Sequence, residues 1–542
     1  MNEELIPFTG IELAFIAAYL LSLIGIGWAG YRARREDSLR DFYLGGRGIG
    51  FVVLLLTLYS TQYSGNTLFG FSGRTYRIGY AWAMSLHFMT AIVVFYLILA
   101  PQLFRLSRKH GFITPTDFLR YRFQSRSLCL VATIVMIVAI ANYLLAQLMA
   151  MGNALEGLTN FDPKTAYIVG VVVLAAIVVV YETLGGFRAV AWTDVVQGSV
   201  LLVGFMVLLG MVFAEFGTLE DATRELLQRE AVSFDQETGK QETGKQEKGK
   251  HETGKSATGK SASTTGSKVL PPEPLGSCEW FSYILLVGIG GALYPQAIQR
   301  IYAARSARSL RLSLAVMAFL PLTTALVALV VGIIGLAHVP DLIHEQIGPG
   351  GELLKIDRAD TVLTVLCRRI QEGSTFGRWL VVVLFSAILA AIMSTADSVL
   401  LSISSMFTKD IYAQYVRPNA AEAELTRLGK YCSWTLIVTL VALAIAMRGS
   451  TTLIQLLDRK FDMLIQLSPA FFLGLHWRRL RAGPTLAGML LGLAIALGFA
   501  ALGIRRVGGF HPGLFGLAAN LVVAVCGSFL GKVDAVTKQN DI

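Results

Sequence analysis

The stretch FVVLLLTLYSTQYSGNTLFGFSG (51–73) is apolar at its start and end and polar in its middle, from Ser60 to Thr67, with a glycine at Gly65. It is long enough to cross a bilayer, which takes ~20 residues of helix. A polar, glycine-bearing interruption there predicts local unwinding, with backbone carbonyls released from the helical ladder. Inside a membrane such backbone is tolerated only where it is buried in protein or lines a cavity. A second stretch, FSYILLVGIGGALYPQAIQR (281–300), carries Gly288, Gly290, Gly291 and Pro295 and invites the same reading. Glycine and serine also allow close helix packing, but two interrupted spans five apart point further. Five is an odd number, so a second five-span unit enters the membrane from the opposite side, and interrupted helices at matching places of two inverted repeats mark transporter sites.

The composition agrees. Of 542 residues, 54% are hydrophobic and only 15% charged, against roughly 25% charged in soluble domains. The expected fold is an all-α polytopic membrane protein of about 13 transmembrane helices. An N-terminal extra helix (11–31) precedes a first repeat (50–215) and an extracytoplasmic loop (216–278). A second repeat (279–475) and two C-terminal peripheral helices (484–531) follow. The loop contains QETGK, QETGK, QEKGK, HETGK and SATGK in tandem, too poor in apolar residues to offset ordering entropy. It is expected to be disordered and without a transport role, with a surface tether as the functional alternative.

The net charge of +10 is read as topology rather than nucleic-acid binding, because Lys and Arg gather in cytoplasmic loops. With the N-terminus outside, inner loops collect Arg32, Arg34, Arg35, Arg40 and Arg47, then Arg105, Arg108 and Lys109, then Arg300, Arg305, Arg308 and Arg311. Arg74, Arg77, Arg505 and Arg506 run against the rule. The C-terminus then falls in the cytoplasm, and the location is the cell (inner) membrane, with lipid as the surrounding partner. The N-terminal MNEELIPFTG lacks the basic start of a signal peptide, so the first helix is expected to be retained. None of the five cysteines lies in a CxxC pair, and no metal or redox motif follows.

The sharpest chemistry lies in FSAILAAIMSTADSVLLSISSMFTKDIY (385–412). Ser394 and Thr395 are adjacent hydroxyls in an apolar helix, and Asp397 and Ser398 share their faces at i+3. A carboxylate at membrane depth is costly unless it faces a cavity or a partner. Hydroxyl and carbonyl oxygens suit a hard cation. Asp194, in YETLGGFRAVAWTDVVQG (181–198), is the second acid; capping or a bond to Arg188 is the structural alternative. Asp458, Arg459, Lys460 and Asp462 suggest an outer gate or vestibule wall, or a helix that enters the membrane later.

Six segments, taken together and in order, resemble the sodium:solute symporter family: DFYLGGR (41–47), TQYSGNT (61–67), TPTDFLRYRFQS (114–125), GGFRAVAWTDVVQ (185–197), QRIYAARS (299–306) and AAIMSTADS (390–398). Within it the ends look most like bacterial pantothenate and proline permeases. The resemblance implies a five-plus-five inverted-repeat (LeuT-like) core with one preceding helix. It also implies a sodium site of Ser60, Tyr63, Ala391, Ser394 and Thr395. A second cation or proton path would use Asp194, Asp397 and Ser398. The proline permeases carry an acid where this chain has Gln62, and several members carry His-Pro where it has Tyr294-Pro295. Substrate-facing candidates follow by position: Gln62, Ser64, Asn66, Thr67, His87, Asn142, Tyr143, Gln147, Tyr294, Gln296 and Gln299. The expected function is sodium-coupled uptake of a small organic solute, with no cofactor beyond the coupling ion and no chemical catalysis. A proton-coupled transporter and a membrane solute sensor are the alternatives.

Overall fold

The structure, a computed structural model, describes residues 8–34, 36–156, 162–231, 267–269, 274–347, 353–448 and 453–530. The QETGK-type repeats lie outside these residues. Nine described helices are long and apolar enough to cross a membrane, or ten when the pair Gly276–Ala292 and Pro295–Ala303, bent by 49°, is taken as one span. Hydropathy alone suggested more segments for two reasons. It divides the 54-residue helix Pro163–Phe216 in two, and it includes interrupted segments such as Phe51–Gln62 with Gly65–Ile78.

The division of the long helix has a physical cause. Fifty-four residues at ~1.5 Å each would run ~80 Å, far beyond a hydrocarbon core of ~30 Å. Gly186 turns the chain with φ 58° and ψ −145°, a region open essentially to glycine. A Cβ there would sit 2.6 Å from the Phe42 carbonyl oxygen. Helix Gly10–Arg32 packs along this turned pair, and Ala482–Ala501 pairs with Pro512–Leu530. Among the described residues one antiparallel strand pair, Ile343–Ile347 with Leu353–Asp357, interrupts the helical architecture.

The motifs of the loops act as fasteners. Arg188 holds Asp41 through two bonds of 2.6 and 2.7 Å, so Arg188 is the partner of Asp41 and not of Asp194. Arg47 donates to the Phe112 carbonyl at 2.9 Å. Thr114 at 2.9 Å and Thr116 bond Asp410, and Lys409 pairs with Asp117. Burial alone would raise the Asp117 carboxyl. The Lys409 ammonium and the N–H groups of Ile113 and Thr114 outweigh it and hold the group below the usual carboxylate range. At the other end of the bundle, three of the four arginines that run against the charge rule meet carboxylates. Arg77 reaches Asp357 and Asp360, both at 2.8 Å, and Arg74 and Arg506 share Glu279 at 3.7 and 3.0 Å. The loop after Phe216 opens with a helix at 219–231. Its Glu230 accepts from the Ser267 hydroxyl at 2.5 Å and the Lys268 N–H at 2.8 Å, while Lys268 O accepts from Tyr80 N at 2.9 Å.

Candidate functional site

Helix Phe51–Gln62 ends at Tyr63 (φ −105°, ψ 110°) and Ser64 (φ −106°, ψ 170°), and a new helix starts at Gly65. Ser64 and Thr67 form a capping box for it. The Ser64 N–H goes to Thr67 Oγ1 at 3.2 Å and the Thr67 N–H to the Ser64 carbonyl at 2.8 Å. These are the two N–H groups that an unbroken helix would send to the carbonyls of Ser60 and Tyr63. The polar sequence at the break thus leaves both carbonyls outside the helical ladder.

The helix Thr375–Met406 is buried without interruption from Val381 to Met406, except at Val383. Ser394 donates to Asp194 Oδ1, and Thr57, one turn before the break, donates to Asp194 Oδ2. On the other side the Tyr143 hydroxyl lies beside the hydroxyls of Ser64 and Thr395. Ser60 and Tyr63 fall between these two links, so the break and the hydroxyl pair face each other. Thr395 Oγ1 donates to the Ala391 carbonyl at 3.0 Å. The groups gathered here are backbone carbonyls and hydroxyls, oxygen donors that match a small hard cation.

Asp194, fully buried, has a partner that the sequence did not suggest. Arg300, 1% exposed, donates to Asp194 at 2.9 Å, to Ser398 Oγ at 2.5 Å and to Thr57 Oγ1 at 2.8 Å. Its placement among inner-loop charges is corrected: the helix Pro295–Ala303 carries it into the core, four residues past Gln296, whose carbonyl it also bonds at 3.0 Å. Asp397 accepts from Tyr181 at 2.6 Å and from Ser398 at 3.0 Å. Asp194, Arg300, Ser398 and Asp397 thus form one hydrogen-bonded chain.

The second break lies at Tyr294, which caps the helix begun by Pro295. Here the Gly291 carbonyl accepts from the Tyr96 hydroxyl at 3.1 Å, and Gln62 donates to the same hydroxyl. Between the breaks lies a mostly apolar cavity of about 90 Å³, lined among others by Gln62, Ser64, Thr67, Tyr143, Tyr294 and Lys460. The remaining candidates sit elsewhere. Gln299 bonds Ser405 and Ser402, both at 2.6 Å. His87 is exposed and lies against Trp280 at 5.1 Å. Asn142 is half-buried away from the cavity wall. Gln147 and Gln296 are fully buried with side-chain amides that meet no hydrogen-bond partner among the described residues. The side chain of Asn66 lies outside the described residues. Sequence reasoning missed Thr57, Tyr96, Tyr181 and Arg300; for Arg300 the available signal was the buried Asp194, which needed a cation.

The model of the Sodium:solute symporter family matches residues 42–492. A high-affinity proline transporter of Bacillus subtilis (strain 168) is 27% identical, over 95% of this chain and 97% of the relative. A sodium/pantothenate symporter of Escherichia coli (strain K12) is 25% identical, over 95% and 96%. Among solved structures, the substrate-bound outward-open state of a Na+-coupled sialic acid symporter matches with a TM-score of 0.74 and 18% identity, covering 97% of this chain and 98% of that one. At that identity the likeness speaks for the fold.

Proposed function

The chain belongs to the sodium:solute symporter family, and from that premise we propose that it carries a small organic solute into the cell together with sodium, by alternating access. The multi-pass fold suits such a cycle, in which two repeats, 50–215 and 279–475, move against each other around the two breaks. We place the N-terminus outside and the C-terminus in the cytoplasm, on the strength of the Lys and Arg distribution. One sodium ion entering down ~100 mV gains ~2.3 kcal/mol. A roughly tenfold gradient adds ~1.4 kcal/mol, and the sum supports roughly 500-fold solute accumulation.

The observation that carries this reading is the pair of released carbonyls at Ser60 and Tyr63, facing Ser394 and Thr395. We assign sodium to these oxygens and Ala391 O. Binding there ties the first break to the helix Thr375–Met406, so the ion and the solute beside the break favour the same arrangement of the repeats. Asp194, Asp397 and Ser398 form the second path, for a cation or a proton. Arg300 stands across it as a tethered positive charge, and an ion that takes Asp194 displaces the guanidinium.

The test is uptake into proteoliposomes with sodium and proton gradients imposed separately, using radiolabelled pantothenate and proline as first probes. Accumulation with a sodium gradient alone is the expected result. Uptake driven by a proton gradient in the absence of sodium, with no gain when sodium is added, would overturn the assignment.

A further inference from the structure

Beyond the hydroxyl pair, the helix Thr375–Met406 carries three more hydroxyls on the face of Ser394: Ser398, Ser402 and Ser405, at i+4, i+8 and i+11. None is more than 1% exposed. At ~1.5 Å per residue the row runs ~16 Å from Ser394, about half of a ~30 Å hydrocarbon core. The short helix Pro295–Ala303 lies against it. Gln296, Gln299 and Arg300 share one face of that helix, at i, i+3 and i+4. Arg300 donates to Ser398 Oγ at 2.5 Å. Ser402 donates to Gln299 Oε1, and Gln299 Nε2 donates to Ser405 Oγ, both at 2.6 Å. Past Ser405, the Thr408 hydroxyl donates to the Ser405 carbonyl at 3.3 Å and lies 3.2 Å from the Tyr43 hydroxyl, next to the fasteners Lys409 and Asp410.

Small residues are enough for two helices to pack inside a membrane, and a serine there can turn its hydroxyl to its own helix. Ser398 donates to the Ser394 carbonyl at 2.7 Å, and Ser405 to the Ser402 carbonyl at 2.8 Å. These hydroxyls do not need glutamines opposite them, yet Gln296 and Gln299 stand on the facing helix. Gln296 is fully buried, and its amide meets no hydrogen-bond partner among the described residues, although its neighbours on the same face reach the row. A buried amide in that position calls for a partner, and an ion is one. Amide and hydroxyl oxygens together suit a hard cation. We propose that sodium leaving the site at Ser394 and Thr395 moves toward the cytoplasm along Ser398, Ser402 and Ser405, with the amide oxygens of Gln296 and Gln299 as successive ligands. Gln299 is the latch of this route. It spans Ser402 and Ser405 while the row is shut, and turning its amide frees both hydroxyls. At the head of the row, Arg300 lets go of Ser398 and stays on Asp194, 2.9 Å away, where the carboxylates of Asp194 and Asp397 offset its charge. This rests on the symport reading and the topology above, and adds the inner half of the ion's route.

The experiment uses the full-length protein. Its melting temperature in detergent, with sodium or choline, tests the symport reading by itself: a rise with sodium supports that reading, and no response counts against it. The route is tested by the reaction of Ser402→Cys with aminoethyl methanethiosulfonate, located by peptide mass so that the native cysteines do not interfere. A route opens to water during the cycle, so this thiol should react tenfold or more faster than that of Leu401→Cys, a buried neighbour on another face. The latch is tested by exchange of radioactive sodium across proteoliposomes, with proline and pantothenate on both sides. Gln299→Leu should slow exchange tenfold or more, while the sodium concentration giving half of the melting-temperature rise moves less than threefold. Gln299→Glu, which keeps an oxygen for Ser402, should retain at least a third of the rate. The proposal is overturned if the two thiols react alike or neither reacts, if Gln299→Leu leaves exchange unchanged, or if it weakens sodium binding as much as it slows exchange. Should Gln299→Leu fail to fold, or the unaltered protein show no exchange, the two thiols still decide the matter.

Discussion

The two broken helices occupy matching places in the two halves and are broken by different means. In the first, Ser64 and Thr67 start a new helix with their own side chains, and the carbonyls of Ser60 and Tyr63 are left to the interior. In the second, the N–H groups of Leu293 and Tyr294 turn back to the carbonyls of Gly290 and Gly291 at 3.2 and 3.3 Å, and Tyr96 takes the Gly291 carbonyl as well. The first break keeps the Ser60 and Tyr63 oxygens available, whereas the second takes up the carbonyls of Gly290 and Gly291. In the function proposed above, the released carbonyls of the first break serve the ion, and the cavity lined by side chains of both breaks receives the solute. Tyr96 bridges Gln62 and the Gly291 carbonyl, and a charged link is made by Arg300, which leaves the second broken helix and bonds Thr57 on the first.

That junction yields the largest expected effect. Arg300→Gln leaves Asp194 buried without its cation, and breaking a buried pair from one side costs ~3–5 kcal/mol. The melting temperature and the yield of folded protein should fall sharply, and Asp194→Asn combined with Arg300→Gln should recover most of the loss. A double variant no more stable than Arg300→Gln would separate the two breaks energetically and undo the comparison.

The next effect tests the asymmetry itself. Removing one oxygen from the ion's neighbourhood by Ser394→Ala or Thr395→Ala costs about 1.5–3 kcal/mol, so half-maximal uptake should need roughly 10- to 100-fold more sodium. Solute affinity at saturating sodium should change far less. Wild-type sodium dependence in both variants would remove the ion from the first break.

A smaller effect belongs to the second break. Tyr96→Phe deletes the hydroxyl that joins the Gly291 carbonyl to Gln62, a loss of about 1 kcal/mol. Solute affinity should weaken by roughly fivefold while the sodium requirement stays within about twofold. A shift in sodium dependence as large as that of Thr395→Ala would mean that the breaks do not divide the work.

Much of this was legible in the sequence because apolar spans make polar residues conspicuous. The break at 60–67, the Gly-rich run before Pro295, the Ser394–Thr395 pair and the two acids stand out for that reason, and family resemblance added the pairing of Ser60 and Tyr63 with the hydroxyl helix. Arg300 was hidden by its neighbours. Arg305, Arg308 and Arg311 follow it closely and together they look like one cytoplasmic patch, although the helix Pro295–Ala303 buries the first. Lys460 was hidden in the same way among Asp458, Arg459 and Asp462. Tyr96, Tyr181 and Thr57 look like ordinary packing in apolar helices, since nothing local tells which residue across the bundle will meet them. The turn at Gly186 was equally silent, because a doublet of glycines reads alike in a tight turn and in a close helix crossing.

The stitch made by Glu230 has a consequence for inheritance rather than for transport. By holding Ser267 and Lys268, it brings the chain back to the point from which it departed. Whatever is spliced between 231 and 267 begins and ends at one anchored place. Closing a longer loop adds only ~0.6 kcal/mol for each doubling of length. Tandem pentapeptide units are the kind of sequence in which copying errors add or drop whole repeats. The expected outcome is that variants of this protein with repeats added or removed keep wild-type uptake and yield, and that a reporter or an affinity tag is accepted at the same place; loss of either would tie the repeats to transport.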